Sequence, residues 1–137
     1  MTKNTKIRWG WIKGMYLYTI IVAGSFGAGI VIMPETVKKT FTWPVEEPIA
    51  LGIIGSVYLA FGLLSLLGLR SPLKFVPVLL LQLCYKTVWL IGVVLPLSIT
   101  ARFPDYAILT LIIFATFIVG DLIAIPFSYV FAKEPNQ

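Results

Sequence analysis

Residues 79–92 read LLLQLCYKTVWLIG, and this stretch decides the class of fold. Leucine, valine, isoleucine and aromatic side chains surround one lysine, Lys86, and one glutamine, Gln82. A surface helix of a soluble domain has a polar face, whereas this run is apolar all round. Followed outward it continues from residue 75 to residue 97 with no other charge. A helix crossing hydrocarbon needs about 20 such residues. The stretch therefore reads as a membrane-spanning helix with an ammonium group inside it.

The rest of the chain repeats the pattern. Apolar segments cover residues 16–33, 49–69, 75–97 and 106–131. The first is near the short limit for a span, and the fourth is long enough to tilt or to emerge at one end. The first follows basic residues, as a cleaved signal peptide would. Its apolar part exceeds the usual hydrophobic region of such peptides, and further spans follow at once, so it reads as a true span. Of the 137 residues, 58% are hydrophobic and 12% charged, where a soluble domain carries about 25% charged residues. The mean hydropathy is +0.93.

Connections are short: PETVKKTFTWPVEEP, RSPLK and SITARFPD. Their prolines, serines and threonines stop and start helices. Short links between consecutive spans make antiparallel neighbours. The expectation is an all-α membrane protein: one domain over residues 1–137, folded as a four-transmembrane-helix antiparallel up-down bundle. With the N-terminus in the cytoplasm, Lys3, Lys6, Arg8, Lys13, Arg70, Lys74 and Lys133 fall inside, and Lys38, Lys39 and Arg102 outside. That asymmetry places both termini on the cytoplasmic side of the membrane. It also accounts for the net charge of +5 without a nucleic-acid partner. Trp9, Trp11, Tyr16, Trp43, Tyr106 and Tyr129 fall near helix ends, as an interfacial belt would place them.

Helices in lipid pack through small residues. Ala23 with Gly27, Gly24 with Ala28, Gly52–Ser56–Ala60, and Thr116–Gly120–Ala124–Ser128 are spaced by four. The expectation is that they pack the bundle internally, with one stripe left over for a homodimer.

The chemistry is concentrated in few residues. Lys86 and Asp121 fall near the middles of the third and fourth spans. For a hairpin centred near Arg102 they differ in depth by about 4.5 Å at the helical rise, which a lysine stem can cover. Each charge alone at a helix centre costs about 2.5–3.5 kcal/mol, so an ion pair between them is the expectation. A carboxyl group can also neutralise itself by taking up a proton. Gln82, Lys86 and Trp89 share a helix face. Asp121 shares one with Phe114, Phe117 and Ser128. Tyr85, Tyr58 and Ser56 are further candidates for the same polar pocket, with Ser25 and Thr87. Glu35, Glu46 and Glu47 sit at helix ends, where carboxylates cap and solvate. Pro77 falls in a first turn, whereas Pro126 should kink the fourth helix or end its membrane part.

No histidine is present, and Cys84 is the one cysteine. That removes the commonest general base and metal ligand, and no internal disulfide can form. No catalytic set, phosphate loop or metal cluster is spaced in the sequence, so neither a metal nor a cofactor is expected and an enzyme is the weaker reading.

The MPE turn after the first helix, the Gly-rich second helix GIIGSVYLAFGLLSLLGLR, and the buried polar residues of the last two make a layout that resembles the small bacterial DoxX-like membrane proteins. The resemblance implies a four-helix inner-membrane fold and a link to redox or stress physiology. The chain departs from the small multidrug transporters of equal size, whose essential carboxylate is in the first helix. The expected function is non-enzymatic binding of a small apolar or amphipathic molecule, or of a partner membrane protein, around Lys86 and Asp121. A dimeric proton- or ion-coupled transporter using the same two residues is the alternative, and a structural accessory subunit the third. Membrane lipid is the one partner common to all three.

Overall fold

The computed structural model describes residues 6–44 and 47–135; Lys3 and Glu46 lie outside the described residues. Among the described residues the chain is helical and has no strand. Six helices follow in order: α1 (Trp9–Ile32), α2 (Pro34–Thr40), α3 (Pro48–Arg70), α4 (Val76–Ile99), α5 (Asp105–Ala124) and α6 (Phe127–Val130). Of these, α1, α3, α4 and α5 are long and apolar enough to cross a membrane.

The boundaries follow from local chemistry. The Glu47 carboxylate accepts hydrogen bonds from the Ile49 and Ala50 amides at 3.2 and 2.7 Å. Pro48, which has no amide hydrogen to satisfy, takes the first helical position of α3. Pro77 occupies the first turn of α4 in the same way. Pro96 falls near the end of α4, where it cannot bond to the carbonyl one turn earlier. The helix widens into a π turn over Leu90–Val94 just before it. A second π turn, Ile20–Gly24, lies in the middle of α1.

That second π turn changes what α1 touches. Its N-terminal half, Trp9–Thr19, packs on both α3 and α5, whereas its C-terminal half, Ser25–Ile32, packs heavily on α3 and makes no comparable contact with α5. Glycines make the α1–α3 approach close. A Cβ on Gly62 would lie 2.7 Å from the Gly24 Cα, and one on Gly27 would lie 2.6 Å from the Gly55 carbonyl oxygen. On the other side of α1, the Met15 side chain occupies the space a Cβ on Gly120 would need. Ile12, Met15, Tyr16, Ala23, Val76, Leu79, Phe117, Ala124 and Ile125 form the buried core.

Several expectations change. The first helix begins at Trp9 instead of residue 16, because Ile12, Met15 and Tyr16 continue its buried face. The linker after it holds the short helix α2. The fourth expected segment, 106–131, ends at Ala124: Ile125 is extended, Pro126 follows, and α6 is separate. The break leaves Ser128 off the α5 stripe and exposes the Ile123 carbonyl, to which Arg8 Nη1 donates at 2.8 Å. The Gly52–Ser56–Ala60 stripe faces outward: a Cβ on Gly52 would meet nothing within 4 Å, and Ser56 and Ala60 are exposed. The stripe of α3 that packs inward is Gly55, Gly62, Ser65 and Gly68. Trp9, Trp11, Tyr106 and Tyr129 are exposed, but Tyr16 is fully buried and donates to the Pro72 carbonyl at 2.7 Å.

Candidate functional site

Among the charged side chains of the described residues, Lys86 and Asp121 stand apart in being buried, with exposures of 1% and 0%. They do not form the expected ion pair. Lys86 Nζ donates to the Tyr85 hydroxyl at 2.7 Å and sits 4.3 to 4.7 Å from the ring centres of Tyr85, Phe117 and Phe114. Both Asp121 oxygens are without a hydrogen-bond partner among the described residues. Register and side-chain direction give the reason. Counting from the helix ends at Ile99 and Asp105, the residue of α4 level with Asp121 is Leu83, next to Gln82, and Lys86 lies nearly a turn nearer the loop with its ammonium turned to the rings. Lys86 therefore meets Phe117 and Phe114, one and two turns before Asp121. The two charges remain within electrostatic reach of one another.

Energetics distinguish the two residues. An ammonium at a helix centre costs about 2.5–3.5 kcal/mol on the insertion scale. A hydrogen bond to a charged group returns about 1.5–3 kcal/mol, and a desolvated cation–π contact about 2 kcal/mol. The ring cage and Tyr85 thus offset most of the cost of Lys86. Asp121 has the Gln82 amide beside it, but among the described residues neither of its oxygens accepts a hydrogen bond.

Two polar layers result. In the first, Gln82 Nε2 donates to Thr19 Oγ1 at 3.2 Å, and Thr19 Oγ1 donates to the Met15 carbonyl at 2.7 Å. Asp121 lies beside Gln82 in this layer. In the second, one turn on, Lys86 lies among Tyr85, Phe114, Phe117 and Phe61. The Phe114 ring also packs edge-on to Tyr58, Tyr85 and Trp89, with centroids 6.5, 6.0 and 4.9 Å away. The Tyr58 hydroxyl lies close to that of Tyr85.

A cavity of about 350 Å³ adjoins the second layer. It occupies the space left where α1 turns away from α5. Ala23, Ser25 and Phe26 of α1, Tyr58 of α3, Lys86 of α4 and Thr110, Ile113, Phe114 and Phe117 of α5 contribute to its wall. One face of α2 (Thr36, Val37, Thr40) closes it on a further side, with Phe41 beyond. Lys86 is its only charged lining residue among the described residues. Burial runs from Lys86, Ala23 and Phe117 at the closed end to exposed Ser25 at the rim.

The site brings together Lys86, Tyr85, Tyr58, Trp89 and, one layer away, Gln82 and Asp121. It does not include Ser56, which is exposed and donates to the Gly52 carbonyl of its own helix at 2.8 Å. Three participants escaped the sequence reading. Thr19 was legible as a polar residue inside an apolar run. Phe61 lies one turn from Tyr58, at a spacing that marks a shared face. The α2 face became visible only once the first linker folded as a helix. Among the described residues no three His, Cys, Asp or Glu side chains converge as metal ligands would. Compared against protein-family models, curated proteins and solved structures, the chain matches none.

Proposed function

We propose that this chain is a multi-pass membrane protein that binds a small apolar or amphipathic molecule in the cavity beside Lys86, without catalysing its conversion. The observation that carries the reading is the placement of one buried ammonium in the wall of an otherwise uncharged, ligand-sized cavity. On this reading the four long helices form an antiparallel up-down bundle in a bacterial inner membrane, with both termini cytoplasmic, following the distribution of lysine and arginine. The DoxX-like layout belongs to the same proposal.

The test is native mass spectrometry of protein purified in mild detergent. The expected result is a bound small molecule that is lost in Thr110→Trp, where the indole fills the cavity beside α5. Wild-type protein free of any adduct, and unchanged in thermal stability across a panel of lipid-soluble compounds, would refute the reading.

One observation favours a second reading, proton-coupled transport: the Asp121 carboxylate is sealed from solvent and neither oxygen accepts a hydrogen bond among the described residues. A carboxylate that loads and unloads a proton against Lys86 would suit that arrangement. Flux driven by a pH gradient in proteoliposomes should then disappear in Asp121→Asn. Flux equal to wild type would exclude it.

A further inference from the structure

We infer that the molecule held in this cavity is a lipid-soluble monocarboxylic acid, which enters between α1 and α5 and seats its carboxylate on Lys86 Nζ. The inference rests on the binding reading above and names the class of ligand.

The shape sets the direction of entry. The N-terminal half of α1 is closed against α5 by the Tyr18 hydroxyl on Thr116 Oγ1, at 2.6 Å, and by the Tyr18 ring on Phe117. Beyond the π turn this contact is lost and the cavity opens, with Ser25 exposed and Thr110 half-exposed at its edge. Its polar end is the closed end. A ligand must therefore lead with its polar group and leave its apolar body towards the rim, opposite to the way a phospholipid stands in a leaflet. A large headgroup cannot follow that path, whereas a carboxyl group, lipid-soluble in its neutral form, can.

Charge sets the head group. Lys86 Nζ has three N–H donors, of which one is given to Tyr85 and the others meet ring faces. No carboxylate among the described residues touches it. An amine would be repelled, and a neutral hydroxyl would accept a hydrogen bond from the ammonium without neutralising it. A carboxylate gains that hydrogen bond and the ion pair together. It also gains a second donor: Tyr58 lines the cavity, and its hydroxyl lies close to that of Tyr85, beside Lys86.

The acid enters with its proton; the O–H bond of the carboxyl group breaks as the proton leaves to water at the exposed rim, and the new carboxylate pairs with Lys86.

The experiment compares octanoic acid, octanol and octylamine, which share a chain and differ in head group, for binding to the purified protein in one neutral detergent. The expected order is acid, then alcohol, then amine, with the acid at least about tenfold tighter than the alcohol because it alone adds an ion pair to the hydrogen bond. Lys86→Met should remove the preference for the acid. Tyr58→Phe, which keeps the ring and its packing, should weaken the acid several-fold and leave the alcohol unchanged, so the inference stays testable even if Lys86→Met fails to fold. Octanol binding as tightly as octanoic acid, and lost in Thr110→Trp, would overturn the acid and leave the cavity reading intact. Binding of none of the three would overturn both.

Discussion

Adding one methyl group at Gly27 tests how α1 is held against α3. A Cβ there would lie 2.6 Å from the Gly55 carbonyl oxygen and 2.8 Å from the Tyr58 carbonyl carbon. Both are main-chain atoms of α3 and cannot rotate aside, while an ordinary contact needs about 3.5–4.0 Å. The helices must part by about 1 Å where α1 packs on α3 and no longer comparably on α5. Overpacking costs about 1–3 kcal/mol, and with main chain on both sides Gly27→Ala belongs at the upper end. The matched control is Gly52→Ala on the outward stripe of α3, where the added Cβ meets nothing within 4 Å. Both substitutions gain the same helix propensity, up to about 1 kcal/mol, so their difference isolates the clash at about 3 kcal/mol. That is roughly a hundredfold in the folding equilibrium. Unfolding followed by circular dichroism as denaturing detergent is titrated into mild micelles measures it. If Gly52→Ala loses as much as Gly27→Ala, the Gly52–Ser56–Ala60 stripe is a packing seam after all, and the assignment of inner and outer faces on α3 is wrong.

Three further substitutions probe the polar groups. Asp121→Leu should stabilise the fold by about 1–3 kcal/mol, because it replaces a buried carboxyl group whose oxygens accept no hydrogen bond with an apolar side chain; a loss of similar size would mean a tight pair with Lys86 that the geometry does not contain. Tyr16→Phe deletes the hydroxyl that donates to the Pro72 carbonyl at 2.7 Å and should cost about 1 kcal/mol in the same detergent titration, with no change in ligand binding. Arg8→Ala leaves the Ile123 carbonyl at the broken end of α5 without its donor. Hydrogen exchange at residues 122–127 should then rise while exchange across α3 stays at the wild-type level.

Much of the architecture was written in hydropathy alone. The long apolar runs became α1, α3, α4 and α5, and the charged cluster between the first two became a loop and a short helix. Pro126 ended α5 because its ring pushes the preceding residue, Ile125, into an extended conformation. What hydropathy could not give was rotation and register. A spacing of four identifies a stripe but not the direction it faces, so Gly52, Ser56 and Ala60 read as well for the interior as Gly55 and Gly62 did. In an apolar helix no polar face marks the outside, and only contact with α1 separates the two stripes. The Lys86–Asp121 pairing failed for a related reason. The offset in depth was legible, but the direction of the lysine stem was not: the ammonium turns to Tyr85, Phe114 and Phe117 instead of reaching the carboxylate.

That one turn bears on what the buried charges are for. A salt bridge kept to lock two helices would satisfy both partners, and each residue would explain the other. Here the lysine is cradled by rings and a tyrosine hydroxyl at the end of a cavity, and the carboxylate lies a layer away with no partner. A bundle that needed only stability would do better with leucine at both positions, since an uncompensated charge at a helix centre costs about 2.5–3.5 kcal/mol. The cost is borne unequally, almost entirely at Asp121. An unequal cost is what a site with an exchangeable occupant should show, and the proposed ligand supplies that occupant: an anion, not part of the chain, seated on Lys86.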